Sequence, residues 1–114
     1  MTAVAEVALF TDDVKGAKAF YAQLVEALPV AEWPSGAIFA AGEVKILVHE
    51  RSAAMEDGPP NEDHFAISVA QLDRICVALQ GAGVDLLVEP RDYPWGRSAY
   101  VRDPDGRLVE LAQA

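Results

Sequence analysis

The chain has 114 residues, 52% of them hydrophobic and 24% charged, an ordinary globular composition that excludes a largely disordered chain and allows one domain with a real core. Eighteen acidic against nine basic residues give a net charge of −9. That argues against a nucleic-acid surface, which needs clustered Lys and Arg, and suits a protein that attracts cationic ligands.

Residues 4–10 alternate as a strand, with Ala5, Val7 and Leu9 in one phase and Val4, Glu6, Ala8 and Phe10 in the other. Asp12 and Asp13 offer an N-cap to a helix over about 14–28, whose buried face is read as Val14, Ala17, Phe20, Tyr21, Leu24 and Leu28 before Pro29 stops it. Short strands over 30–33 and 37–40 flank the Pro34-Ser35-Gly36 turn, and a further strand covers about 43–49. A polar stretch with Gly58-Pro59-Pro60-Asn61 reads as a linker, about 51–62. Residues 64–69 then alternate again, with Phe65, Ile67 and Val69 on one face. A helix over about 71–81 carries Leu72, Ile75, Cys76 and Leu79 on one side. Strands near 85–89, 98–103 and 107–112 follow, the last two joined by the tight turn Asp103-Pro104-Asp105-Gly106.

The pattern is βαβββ, linker, βαβββ, and the halves superpose at an offset of 58 residues, which sets Glu6 on His64, Val14 on Leu72, Ala17 on Ile75 and Tyr21 on Leu79. A repeat of pattern implies two similar modules, about 1–50 and 63–114, each too small to bury its apolar face well alone. The fold class expected is α+β, two βαβββ modules forming a cupped mixed sheet within one domain, 1–114.

In each half one strand phase is apolar and suited to lie under the helix. The opposite phase carries Glu6 and Ala8, then His64, Ala66 and Ser68, then Tyr100 and Arg102, then Leu108 and Glu110. Ionisable groups on such a face need partners or a metal, because isolated burial is costly. Glu6, His64 and Glu110 supply one imidazole and two carboxylates, a donor set suited to Mn, Fe, Ni or Zn, and three protein ligands would leave coordination sites open. The competing reading is a hydrogen-bonded histidine at a module junction and, for Glu110, a solvated strand-end carboxylate. His49 is expected to lie exposed at its strand end, and Cys76 to be a small core residue.

Three stretches resemble the vicinal oxygen chelate superfamily of glyoxalase I, extradiol dioxygenases, fosfomycin-resistance enzymes and bleomycin-resistance proteins. They are Glu6 to Tyr21 with its Asp13-Val14-Lys15-Gly16-Ala17-Lys18-Ala19-Phe20-Tyr21 helix start, His64-Phe65-Ala66-Ile67-Ser68-Val69, and the closing segment from Pro94-Trp95-Gly96-Arg97 through Asp103-Pro104-Asp105-Gly106 to Glu110-Leu111. The resemblance implies metal ligands on the first and last strand of each module, hence Glu6, His64 and Glu110. The fourth place falls at or beside Leu47, which cannot ligate, and Glu6 stands where His is common. It further implies bidentate coordination of substrate oxygens by the metal, with Glu110 as general base.

The expected function is therefore a divalent-metal-dependent enzyme on a small oxygenated substrate, by lyase, isomerase, transferase or dioxygenase chemistry and without an organic cofactor. The alternative is a metal-free binding protein that sequesters a small molecule or antibiotic. Trp33, Phe39, Trp95, Tyr100 and Arg102 are the candidate ligand surface. A homodimer is expected. The lone Cys76, which cannot form an intrachain disulfide, the absence of Lys or Arg before Lys15 and the lack of a long apolar run point to a cytoplasmic protein with no membrane partner.

Overall fold

The computed structural model describes residues 2–52 and 59–114. The centre of the expected linker, 53–58, lies outside the described residues. The elements run β1 (Ala3–Thr11), α1 (Val14–Val25), β2 (Ala31–Trp33), β3 (Gly36–Ala41), β4 (Val44–Glu50), β5 (His64–Val69), α2 (Leu72–Gly81), β6 (Leu86–Tyr93), β7 (Gly96–Arg102) and β8 (Leu108–Gln113). This is the α+β pattern of two βαβββ modules. The chain divides into two units, Glu6–Asp63 and a second comprising His64–Ala114 with the residues up to Ala5.

In the first unit the strand order is β2-β3-β4-β1. β1 runs parallel to β4, with Val7 opposite Ile46 and Leu9 opposite Val48, while β3 pairs antiparallel with β4 and with β2. Alternation puts Leu9, Ala37, Phe39, Ile46 and Val48 under α1, where Ala17, Tyr21, Ala22 and Val25 close over them. Asp13 caps α1, its carboxylate accepting from the Gly16 N–H at 2.9 Å.

The helix stops three residues sooner than its sequence suggests. Glu26 takes a left-handed φ of 55°, and the Ala27 N–H returns to the Ala22 carbonyl at 3.2 Å, a Schellman-type closure. The face under α1 is the Ala17, Tyr21, Val25 row. Phe20, Leu24 and Leu28, expected to be buried, are 58%, 62% and 86% exposed.

The second unit repeats the topology as β6-β7-β8-β5. β5 runs parallel to β8, and β7 pairs antiparallel with β8 and with β6. Its core is Val69, Leu72, Cys76, Ala99, Val101, Val109 and Leu111, with Phe65, Ile67, Ile75, Leu79 and Leu86 packed around it. β6 extends four residues past its expected end. The register shifts between Leu86 and Val88 and again between Val88 and Arg91, and this irregularity accommodates Pro90, which has no N–H for the ladder. The strand then resumes through Arg91 and Tyr93 to a two-residue turn at Pro94-Trp95.

Candidate functional site

The face of the second unit turned away from α2 collects the polar side chains. Ala66 lies opposite Glu110 between β5 and β8, Tyr100 opposite Glu110 between β7 and β8, and Ser98 opposite Arg91 between β7 and β6. The residues of this face alternate with the apolar core residues of the same strands.

His64 and Glu110 meet there. His64 Nε2 stands 3.1 Å from Glu110 Oε1, and the two side chains are only 4% and 9% exposed. The Ser98 hydroxyl donates to Glu110 Oε2 at 2.8 Å, so both carboxylate oxygens are engaged. Glu110 lies between Ser98 and His64, an order unlike that of a nucleophilic triad, in which the imidazole touches the hydroxyl. Ser98 therefore positions the carboxylate.

Aromatic rings run outward from this pair. Tyr100, 2% exposed, presents its ring edge-on to His64 at 5.7 Å and 82°, and Tyr93 meets Tyr100 at 6.4 Å and 81°. Trp95, 61% exposed, stacks flat on Tyr93 at 4.7 Å and 2°. Burial raises the Tyr93 phenol above its ordinary pKa; the Arg91 charge lowers it and the Glu110 charge raises it further. Arg102 lies exposed at the end of β7, its guanidinium donating to the Gly106 carbonyl at 3.0 Å.

The other expected residues lie in the first unit. Glu6 is half-buried on β1, opposite Lys45 and in the strand phase turned away from α1. Leu47, two residues on from Lys45, shares that phase. His49 was expected to be exposed, but it is half-buried with Phe10 at 5.8 Å and Trp33 at 6.3 Å, and its Nδ1 donates to the Glu50 carbonyl at 2.8 Å. Phe39, expected on the ligand surface, is fully buried beneath α1 against Tyr21, because alternation in β3 sets it in phase with Ala37.

Sequence reasoning missed Arg91, Tyr93 and the role of Ser98. The i, i+2 spacing of Arg91 and Tyr93 is a strand signal, hidden by Pro90 in the middle of the run.

The pair fits a divalent metal by donor type and separation. Two adjacent ligands at ~2.1 Å from one octahedral ion stand ~3.0 Å apart, close to the separation seen. The same separation is a hydrogen bond when Nε2 carries the proton. Among the described residues no group of three His, Cys, Asp or Glu gathers as a metal cluster.

Solved structures with the same fold include methylmalonyl-CoA epimerase from Mycobacterium tuberculosis, 21% identical over 96% of this chain and 86% of that one, at a TM-score of 0.76. They include a glyoxalase/bleomycin resistance protein/dioxygenase superfamily member from Vibrio splendidus 12B01, 16% identical over the whole of both chains, at 0.72. They also include the Mn(II)-bound glyoxalase from Novosphingobium aromaticivorans, 23% identical over 99% of this chain and 40% of that one, at 0.70. No curated protein matches the chain. The family model of the Glyoxalase/Bleomycin resistance protein/Dioxygenase superfamily matches residues 3–111, nearly the full length, and the chain belongs to that superfamily.

Proposed function

We propose that the chain is a divalent-metal-dependent enzyme acting on a small oxygenated substrate, with His64 and Glu110 as metal ligands. The observation that carries this reading is the buried His64–Glu110 pair, in which an imidazole nitrogen and a carboxylate oxygen stand at the separation of two ligands of one ion. A bound Mn, Fe, Ni or Zn ion would polarise the substrate oxygens and stabilise negative charge developing on them. Once displaced from the ion, Glu110 would take a substrate proton on Oε1, while the Ser98 hydroxyl bonded to Oε2 keeps the carboxylate in place. Tyr100 packs against the His64 ring and limits its rotation. Trp95 and Arg102 would meet the rest of the substrate.

Relatives of the same fold named as an epimerase and as a Mn(II)-bound glyoxalase are in keeping with this chemistry. The apolar row Phe20, Leu24 and Leu28 exposed on and after α1 supports a homodimer. The buried free thiol of Cys76 suits a reducing cytoplasm.

One observation favours a second reading. His64 and Glu110 satisfy each other as a hydrogen-bonded pair, which suits a metal-free protein that sequesters a small molecule. Thermal unfolding in Mn2+ and in chelator separates the two. The enzyme reading expects the melting temperature to rise with added Mn2+ and the rise to vanish in His64→Ala, since a ligand that binds only the folded state stabilises it. An equal rise in His64→Ala, or none in the parent protein, would sink it.

A further inference from the structure

Among the described residues, the Tyr93 hydroxyl is the buried side-chain polar atom left without a hydrogen-bond partner. An orphaned buried donor is costly, and such groups in folded proteins are nearly always paired with protein, water or a ligand. Nothing about the ring requires the hydroxyl. Its stack on Trp95 and its edge contact with Tyr100 would be made equally by phenylalanine. The phenol stands on the polar face of its unit, on the strand next to the one that carries Ser98 and Tyr100. Both Glu110 and Arg91 act on it electrostatically. Because burial holds its pKa up, it stays protonated and acts as a donor.

We propose that the Tyr93 hydroxyl is a ligand-binding group that donates a hydrogen bond to an acceptor oxygen, carbonyl or carboxylate, of the small molecule bound beside His64 and Glu110. This rests on the His64–Glu110 site proposed above. It adds a substrate class, since the ligand must present a further oxygen toward β6 beyond those that engage the pair. Arg91, in register with Ser98 on the same face, biases that position toward an anionic oxygen.

The test uses oxalate, a small anion with oxygens at both ends, titrated by calorimetry into the parent protein, Tyr93→Phe and His64→Ala, with Mn2+ and again in chelator. Tyr93→Phe is expected to bind oxalate about five-fold more weakly, the loss of one neutral hydrogen bond. The ligand-free Tyr93→Phe protein is expected to melt about 2–5 °C higher, because the orphaned donor is gone. Equal oxalate affinity in Tyr93→Phe overturns the proposal. So does a lower melting temperature, which would mean that the hydroxyl has a structural partner, and so does a parent protein that takes up no oxalate under either condition. Failure of the metal site reads out separately, as Mn2+ uptake unchanged in His64→Ala.

Discussion

The Ser98 hydroxyl donates to Glu110 Oε2 across the β7–β8 ladder at 2.8 Å, and this bond leaves Oε1 as the oxygen that faces His64. Ser98 is 1% exposed and Glu110 7%. Ser98→Ala would leave a buried carboxylate oxygen without its donor. It should cost about 1–3 kcal/mol in urea unfolding, more than a surface Ser to Ala change, and should weaken Mn2+ binding as the carboxylate gains freedom.

Gln113, at the end of β8, caps a helix that begins 41 residues before it. Its Oε1 accepts from the Leu72 N–H at 2.9 Å and its Nε2 donates to the Ala70 carbonyl at 2.6 Å, while Gln71 at the N-cap position makes no side-chain cap bond. Gln113→Ala is expected to cost about 1 kcal/mol, as loss of an N-cap does, with faster amide exchange in the first turn of α2.

Gly36 faces the Trp33 ring and the β4 backbone. A Cβ there would sit 2.7 Å from the Val48 carbonyl oxygen and 2.8 Å from the Trp33 ring, and the carbonyl belongs to a paired strand that cannot move aside. Gly36→Ala should cost about 1–3 kcal/mol and shift Trp33 fluorescence, both readable in one urea titration.

Cys76, on the inner face of α2, is buried in the core, and burial, reinforced by the Asp73 charge and partly offset by Arg97, raises its pKa. The thiolate is the reactive form, so a raised pKa means less of it at a given pH. Alkylation by iodoacetamide at pH 8 should be slow in the folded protein and fast in urea, and the folded rate should keep climbing above pH 9. A plateau below that pH would contradict the assignment.

Much of this fold is legible in the sequence because period-two alternation repeats at an offset of 58 residues. The strands that carry His64, Tyr100 and Glu110 announce both their existence and their phase. Phe20 and Leu24 mislead because apolar residues on α1 occupy more of its circumference than the sheet covers, and sequence spacing alone does not say which row faces inward. Tyr93 and Arg91 are hidden by Pro90, which ends an alternating run for a reader of sequence but only bulges the strand in space. The Gln113 cap and the Ser98–Glu110 bond join residues distant in sequence or on different strands, and no local pattern signals them.

The central claim, that His64 and Glu110 hold a metal, is tested most directly by counting bound Mn2+ from the electron paramagnetic resonance signal of the free ion during titration. The parent protein should take up about one ion per chain, and His64→Ala and Glu110→Gln should each leave the added Mn2+ free. Uptake by either variant equal to that of the parent protein, or no uptake by the parent protein, would contradict the claim.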